Sequence, residues 1–267
     1  GGYFGNEKKA VKALFIGDSE VGVTLQSLTP SIDITLEGFK YYSGDPNLTK
    51  YGDLSQFDVI VWYSSSPSMS EATTDLQNRI KNFVDNGGGF VVVGTWIDWA
   101  NDIIGFDYTT QTVSTGGFQY ADYDHPILKP YTDVSSYLPD SSLRNKKIDS
   151  SGGTKVVYDT NGNPWISTNE YGSGRGVYVA STGTVQTNLP GGYAAFYIFD
   201  NSYPVLLTNG IFYAAGKENV LPVWWYKEYY SELPWHDQIF YSVNGKPSHI
   251  LLWLSNNNET TNFEIHL

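Results

Sequence analysis

One apolar segment leads to a position where α/β enzymes place a reactive side chain. Residues 90–93 form a continuous apolar run after three glycines, which predicts a buried strand that ends sharply at Gly94. In parallel sheets the reactive groups stand where a strand gives way to a helix, because the carboxyl ends of the strands form the crevice. Here that exit carries Thr95 and Trp96, and the chain contains no cysteine. Thiol chemistry is therefore excluded, and we expect no catalytic residue at this exit.

A second candidate follows the first predicted strand, where Gly17, Asp18 and Ser19 resemble the first sequence block of the SGNH (GDSL-type) hydrolases. The resemblance implies that Ser19 would be the nucleophile, and that Asp122 and His125 would supply the orienting group and the base. In that family the Asp-x-x-His pair lies near the C-terminus, whereas here it lies in the middle of the chain. A serine hydrolase that acts on esters or glycans is therefore the alternative hypothesis.

Polar residues near position 160 imitate a calcium-binding loop. Asp159, Asn161 and Asn163 alternate as in such a loop, and Glu170 follows further on. Pro164 occupies the position where the sharp turn of the loop requires glycine, and the Asn-Gly turn between two strand-like runs predicts a β-hairpin instead. The four histidines also lack metal-ligand spacing. We therefore predict no metal site and no cofactor.

Strands and helices alternate along the part of the chain that would position these residues. The runs that predict strands are 11–18, 39–42, 57–63, 90–94 and 176–180. Ser68 and Glu71 predict a capping box at the start of a helix that Gly87 ends, and a second helix is predicted over 205–215. Strand, helix and strand in that order predict a right-handed crossover and hence a parallel sheet.

The composition changes after residue 217. Residues 221–241 are rich in tryptophan and tyrosine, and two strand-like runs flank the turn at Asn244. The aromatic residues either cover the core or form a contact surface for sugars or proteins. We predict three parts, which are a polar lead-in over 1–9, an α/β domain over 10–217 and an aromatic-rich β extension over 218–267.

Five segments of the α/β domain, taken in order, resemble the class I glutamine amidotransferase-like superfamily, particularly its non-amidotransferase ThuA-like and GldG-like members. The segments are 57–61 (FDVIV), 87–94 (GGGFVVVG), 124–127 (DHPI), 171–176 (YGSGRG) and 206–216 (LLTNGIFYAAG). The resemblance implies a flavodoxin-like parallel sheet flanked by helices. It carries over no active site, because the family's catalytic cysteine is replaced at about Thr95 and no His-x-Glu pair follows the last predicted strand. In this interpretation Asp124 and His125 belong to a structural turn that follows the central strand.

Composition narrows the setting in which the protein acts. The net charge of -12 argues against nucleic acids and anionic membranes as partners, and no apolar run is long enough to span a bilayer. The absence of cysteine, a single methionine and two glycosylation sequons at Asn47 and Asn258 favour a secreted glycoprotein. The same features suit a heat-loving archaeon, and an acidophile would fit as well.

The sequence therefore predicts a catalytically inactive, amidotransferase-like module of a secreted or cell-surface glycoprotein. Its role would be structural or recognitional, through other protein subunits or copies of itself. A third hypothesis is that the crevice at the carboxyl ends of the strands, which would no longer be catalytic, binds carbohydrate through Trp96. The residues of this vestigial crevice would be Gly17, Asp18, Ser19, Thr95, Trp96 and His125.

Overall fold

An α/β architecture accounts for most of the described chain. The structure is a computed structural model. It describes residues 11–17, 22, 25–26, 32–38, 52–63, 72–94, 97–106, 111–114, 118–128, 143–146, 153–159, 162–182, 203–217, 223–224, 235–241, 247–256 and 259–266.

The described strands follow one another in chain order. They are β1 Val11–Gly17, β2 Ile32–Gly38, β3 Val59–Tyr63, β4 Gly89–Val93, β5 Gln111–Ser114, β6 Phe118–Ala121, β7 Leu143–Lys146, β8 Thr154–Asp159, β9 Pro164–Tyr171, β10 Gly174–Val179, β11 Ser181–Thr182, β12 Val223–Trp224, β13 Trp235–Tyr241, β14 Pro247–Asn256 and β15 Glu259–His266. The described helices are α1 Thr74–Asp85, α2 Asn101–Ile104 and α3 Tyr203–Ala214, and a 3₁₀ turn spans Leu54–Gln56.

The largest sheet has the strand order of a flavodoxin-like fold. Its eight strands run β2-β1-β3-β4-β10-β9-β8-β6, and the five from β2 to β10 are mutually parallel. With β10 counted as the fifth parallel strand, this is the flavodoxin order 2-1-3-4-5. Strands β9, β8 and β6 extend the sheet in antiparallel fashion. The predicted fold class is therefore confirmed.

Two smaller sheets lie outside this order. Strands β11, β7 and β5 form one, and β12, β13, β14 and β15 form the other. The second lies within the predicted C-terminal extension, where the predicted hairpin is the antiparallel pair β13 and β14. The division of the chain at residue 217 stays a prediction.

Continuous apolar runs form the central strands because both faces of these strands are covered. Every residue of β3 and β4 is buried, and so are all residues of β1 except Lys12. An aromatic cluster closes one face, where the Trp99 ring lies edge-on to Trp62 at 5.3 Å and tilted against Phe90 at 5.8 Å. Trp62 and Phe90 belong to the buried hydrophobic core, which fixes the positions of the strand ends.

Strand β2 and the start of helix α1 differ from the prediction. Strand β2 at Ile32–Gly38 was not predicted, and the predicted strand over 39–42 lies outside the described residues. Strand β2 lies at the edge of the described sheet, and its apolar residues alternate with polar ones where a central strand has a continuous apolar run. Helix α1 begins at Thr74, and the Thr73 side chain caps it by accepting from the Leu76 amide at 3.3 Å. Ser68 and Glu71, the predicted capping box, lie outside the described residues.

The predicted glycine stop of α1 is confirmed in detail. Gly87 has a positive φ of 103° and donates to the Val84 carbonyl at 2.9 Å, while Gly88 donates to the Phe83 carbonyl at 3.0 Å. These two bonds form a Schellman motif, which satisfies carbonyls that the helix leaves open. Gly216 and Lys217 end α3 with the same pair of bonds.

Glycines in the sheet let helix backbones touch strand backbones. A Cβ on Gly89 would lie 2.4 Å from the Ala214 carbonyl oxygen of α3, and one on Gly176 would lie 2.1 Å from the Ile103 oxygen of α2. The two glycines face opposite sides of the sheet, because Gly89 pairs with Arg175, the neighbour of Gly176. Helices α2 and α3 are therefore held to opposite faces at backbone distance.

We expect Gly89→Ala and Gly176→Ala each to lower the free energy of unfolding by about 1–3 kcal/mol or more, since no flexible side chain can yield to the new methyl group. Gly210→Ala is the matched control. Its Cβ would meet only the Val177 side chain at 3.3 Å, and alanine gains about 1 kcal/mol of helix propensity there. Urea unfolding followed by circular dichroism measures all three variants. Wild-type midpoints for the two sheet variants would contradict the expectation.

Candidate functional site

The carboxyl ends of the parallel strands meet at one edge of the sheet, where the crevice of this fold lies. Of the predicted crevice residues the structure describes Gly17, at the end of β1, and His125. A Cβ on Gly17 would lie 2.8 Å from the Tyr63 carbonyl oxygen at the end of β3, so Gly17 serves the close approach of two strand ends. Asp18, Ser19, Thr95 and Trp96 lie outside the described residues.

His125 lies in a tight turn that follows β6. Its amide donates to the Asp122 carbonyl at 3.0 Å, and its own carbonyl accepts from Leu128 at 2.9 Å. The Asp122 carboxylate accepts from the Asp124 amide at 3.1 Å. The structural turn expected at this position is present, but it follows a strand at the edge of the sheet and not a central one.

Both nitrogens of the His125 ring face protein groups. Nδ1 accepts from the Ile127 amide at 3.2 Å, which places the proton of the neutral ring on Nε2. Nε2 lies 3.4 Å from the Thr168 hydroxyl of β9 and can donate to it. The Asp122 carboxylate caps an amide, and the described contacts of the ring include no bond to it. The ring is therefore oriented by the turn backbone and not by an acid.

Burial lowers the pKa of His125 below its ordinary value of 6.5. The Asp122 carboxylate opposes this effect, and the Arg175 guanidinium adds to it by repelling a second positive charge. The neutral imidazole is therefore the form that the fold favours.

Helix α3 holds the turn from the other side. The Tyr213 ring lies 4.9 Å from the His125 ring, and the Arg175 guanidinium lies over Tyr213 at 4.9 Å and donates to its carbonyl at 3.2 Å. The buried Asn209 side chain donates to the Ile127 carbonyl at 2.8 Å. None of Thr168, Tyr213 and Asn209 was singled out in the sequence, because each reaches the turn only through tertiary packing.

The sheet order separates His125 from the end of β1. His125 contacts β9, and β3, β4 and β10 lie between β9 and β1. Four inter-strand spacings amount to about 19 Å. The structure therefore brings Asp122 and His125 into one turn but does not bring His125 to Gly17.

The calcium-like segment forms the predicted hairpin. Strands β8 and β9 pair antiparallel, Tyr158 opposite Pro164, and Gly162 in the turn has a positive φ of 78°. Asn161 lies outside the described residues. Separately, no helix in the described ranges is long and apolar enough to cross a membrane.

The fold and this site define a flavodoxin-like α/β domain with a histidine-centred structural turn at the edge of its sheet. Residues 40–219, more than half of the chain, match the family described as lacto-N-biose phosphorylase central domain. The chain belongs to that family. A search among curated proteins finds no match.

Solved structures match at low sequence identity. A cytoplasmic protein from Salmonella typhimurium is 15% identical with a TM-score of 0.54, over 76% of this chain and 99% of that one. A ThuA-like protein from Parabacteroides merdae is 18% identical with a TM-score of 0.49, over 88% and 99%. A GH42 β-galactosidase from G. stearothermophilus is 12% identical with a TM-score of 0.37, over 96% of this chain and 39% of that one. The match to the Salmonella typhimurium protein agrees with the fold, and none of the three says anything of the reaction.

We expect His125 to make the stability of the protein depend on pH. Because the folded chain holds the pKa of His125 below 6.5, the unfolded chain takes up the proton first as pH falls. This contribution is complete above pH 6.5 and is lost as pH drops from there through the lowered folded pKa. His125→Asn keeps an acceptor near the position of Nδ1 and does not titrate.

Urea unfolding at about pH 7.5 and about pH 5 measures this dependence for both proteins, which share the other three histidines. The wild type should lose more stability between the two pH values than His125→Asn. Equal losses would show that His125 is not the titrating group.

Proposed function

We propose that this chain is a catalytically inactive, amidotransferase-like module that serves structure or recognition in a larger protein. The observation that supports this proposal best is that both ring nitrogens of His125 face protein groups. A general base needs a ring nitrogen that can reach the proton it removes. Here Nδ1 accepts a backbone amide and Nε2 faces Thr168, so the histidine of the one Asp-x-x-His motif works as a structural group.

The chemistry at the strand ends supports the same proposal. The chain has no cysteine, so the thioester chemistry of amidotransferases has no nucleophile. At the end of β1 the Gly17 position is filled by close backbone packing against Tyr63. The serine hydrolase alternative needs Ser19 and His125 to meet, although about 19 Å of sheet lies between β1 and β9.

Membership of a family defined on a central domain supports the idea that the module works beside other domains or subunits. Among the described residues, strand β15, eight residues long, is an edge of the four-stranded sheet β12–β15. An exposed strand edge offers unpaired backbone groups that another chain can pair with. We propose protein subunits or further copies of this chain as the partners, in a secreted or cell-surface glycoprotein of a heat-loving archaeon.

The assembly proposal predicts sugar mass and a defined complex in protein isolated from its source. Native mass spectrometry before and after deglycosylation should show discrete glycan losses from Asn47 or Asn258, together with a multimer or a larger complex. Asn47→Gln and Asn258→Gln should each remove one glycan mass. A bare, strictly monomeric chain would contradict the proposal.

The inactivity proposal predicts that a fluorophosphonate probe leaves Ser19 unmodified, because His125 contacts β9 and about 19 Å of sheet lies between β9 and the end of β1 that precedes Ser19. Mass spectrometry of the labelled chain checks this, with Ser19→Ala as the control for labelling elsewhere. Covalent labelling that is lost in Ser19→Ala would establish the hydrolase instead.

Carbohydrate binding in the vestigial crevice is a second candidate function, because the family to which the chain belongs is named after an enzyme that acts on a sugar. In that case Trp96→Ala should weaken sugar binding, as measured by calorimetric titration.

A further inference from the structure

A cleft lies at the amino ends of β3 and β4, on the edge of the sheet opposite to the conventional crevice. Its volume is about 580 Å³, within the range of about 300–1,000 Å³ typical of small-molecule sites. The last turns of α1 form one wall, and the segment around the 3₁₀ turn Leu54–Gln56 forms the other. The cleft is thus separate from the strand ends discussed above.

The walls of the cleft are held by bonds within the protein. Arg79 reaches from α1 to the opposite wall and donates to the Gly52 carbonyl at 2.7 Å. Lys217 pairs with the Asp58 carboxylate at 2.8 Å, and the same oxygen accepts from the Lys12 amide at 2.8 Å. A site braced in this way needs little reorganisation when a ligand enters.

Hydrogen-bonding groups and aromatic rings share the lining. Asn82 on α1 and Asn86, the C-cap residue of that helix, stand one turn apart, and Phe57 and Phe83 also line the cleft. Asp53 accepts from the amide and the hydroxyl of Ser55 at 2.9 and 2.6 Å, and these bonds lower the pKa of its carboxyl. In the described part of the chain the side-chain amide of Asn82 has no protein partner. Its two N–H donors and its oxygen acceptor therefore face the cleft or solvent.

The charges at the cleft balance. Asp53 and Asp58 are matched by Arg79 and by Lys217, whereas the whole chain carries a net charge of -12. An anionic ligand is disfavoured by the overall field, and a cation gains little beside carboxylates that already have partners. The lining therefore suits a neutral ligand.

A neutral ligand with many hydroxyl groups and an apolar ring face satisfies both features of the lining. Amide and carboxylate groups exchange hydrogen bonds with adjacent hydroxyls, and aromatic rings pack against the C–H face. We propose that this cleft binds a neutral sugar, with Asn82 and Asp53 as hydrogen-bonding groups and Phe83 as the packing surface. This site does not depend on the assembly or inactivity proposed above, because it uses none of the residues invoked there.

Titration of the ¹⁵N-labelled full chain with D-galactose, N-acetyl-D-glucosamine or lactose tests the site by two-dimensional NMR. We expect at least one of these sugars to shift the backbone amides of Asn86, Gly87 and Gly88. Asn82→Ala should weaken that sugar about five- to tenfold, the effect of one lost hydrogen bond to a neutral partner. Galacturonate and glucosamine, the charged counterparts, should bind more weakly.

Asn78→Ala is the matched control, since Asn78 is also an exposed asparagine on α1 but does not line the cleft. Asn78→Ala should leave the affinity for the sugar unchanged. Both variants introduce an alanine, which favours the helical conformation. The proposal is overturned if none of the three neutral sugars shifts the cleft amides, if the shifts lie elsewhere, or if Asn82→Ala and Asn78→Ala behave alike.

Discussion

Backbone-to-backbone contact between helices and the central sheet is the constraint on which this structure depends. Gly89 and Gly176 bring α3 and α2 against opposite faces, and a Cβ on Gly174 would lie 2.2 Å from the Val84 carbonyl oxygen of α1. Any side chain at these positions would push a helix away and open the core. The glycine-rich segments 87–89 and 172–176 therefore serve packing and helix ends. They lie at the amino ends of β4 and β10, away from the edge where a parallel sheet places its chemistry.

The elements that could be predicted are those with a strong local signal. Strands β3 and β4 have unbroken apolar runs, α1 has a clear glycine stop, and the β8–β9 hairpin has an Asn-Gly turn. Strands β2 and β6 were not predicted, because each lies at an edge of the described sheet and has no continuous apolar run. Their positions depend on partners distant in sequence, which no local pattern contains.

In the candidate site, too, the sequence predicts a residue from its type, whereas the contacts of that residue depend on segments distant in the chain. The sequence identifies His125 as a residue that could act as a base, but its surroundings come from elsewhere in the chain. Thr168 lies on β9 and Tyr213 on α3, and they meet the ring only after the sheet and helix have packed. The separation of His125 from the end of β1 likewise follows from the strand order of the sheet, which no sequence motif encodes. Residue type thus predicts what a side chain can do, and topology decides what it meets.

Asp58 links the fold to the cleft at the amino end of the sheet. Its backbone exchanges bonds with β1 and β4, donating to the Lys12 carbonyl at 2.8 Å and accepting from Gly89 at 3.0 Å. Its carboxylate accepts from the Lys12 amide and from Lys217, which follows α3. One residue therefore joins three strands and a helix while it lines the cleft. A ligand that binds only this folded arrangement stabilises the native state by mass action. Occupancy of the cleft is therefore coupled to the stability of the same core that the glycines hold together.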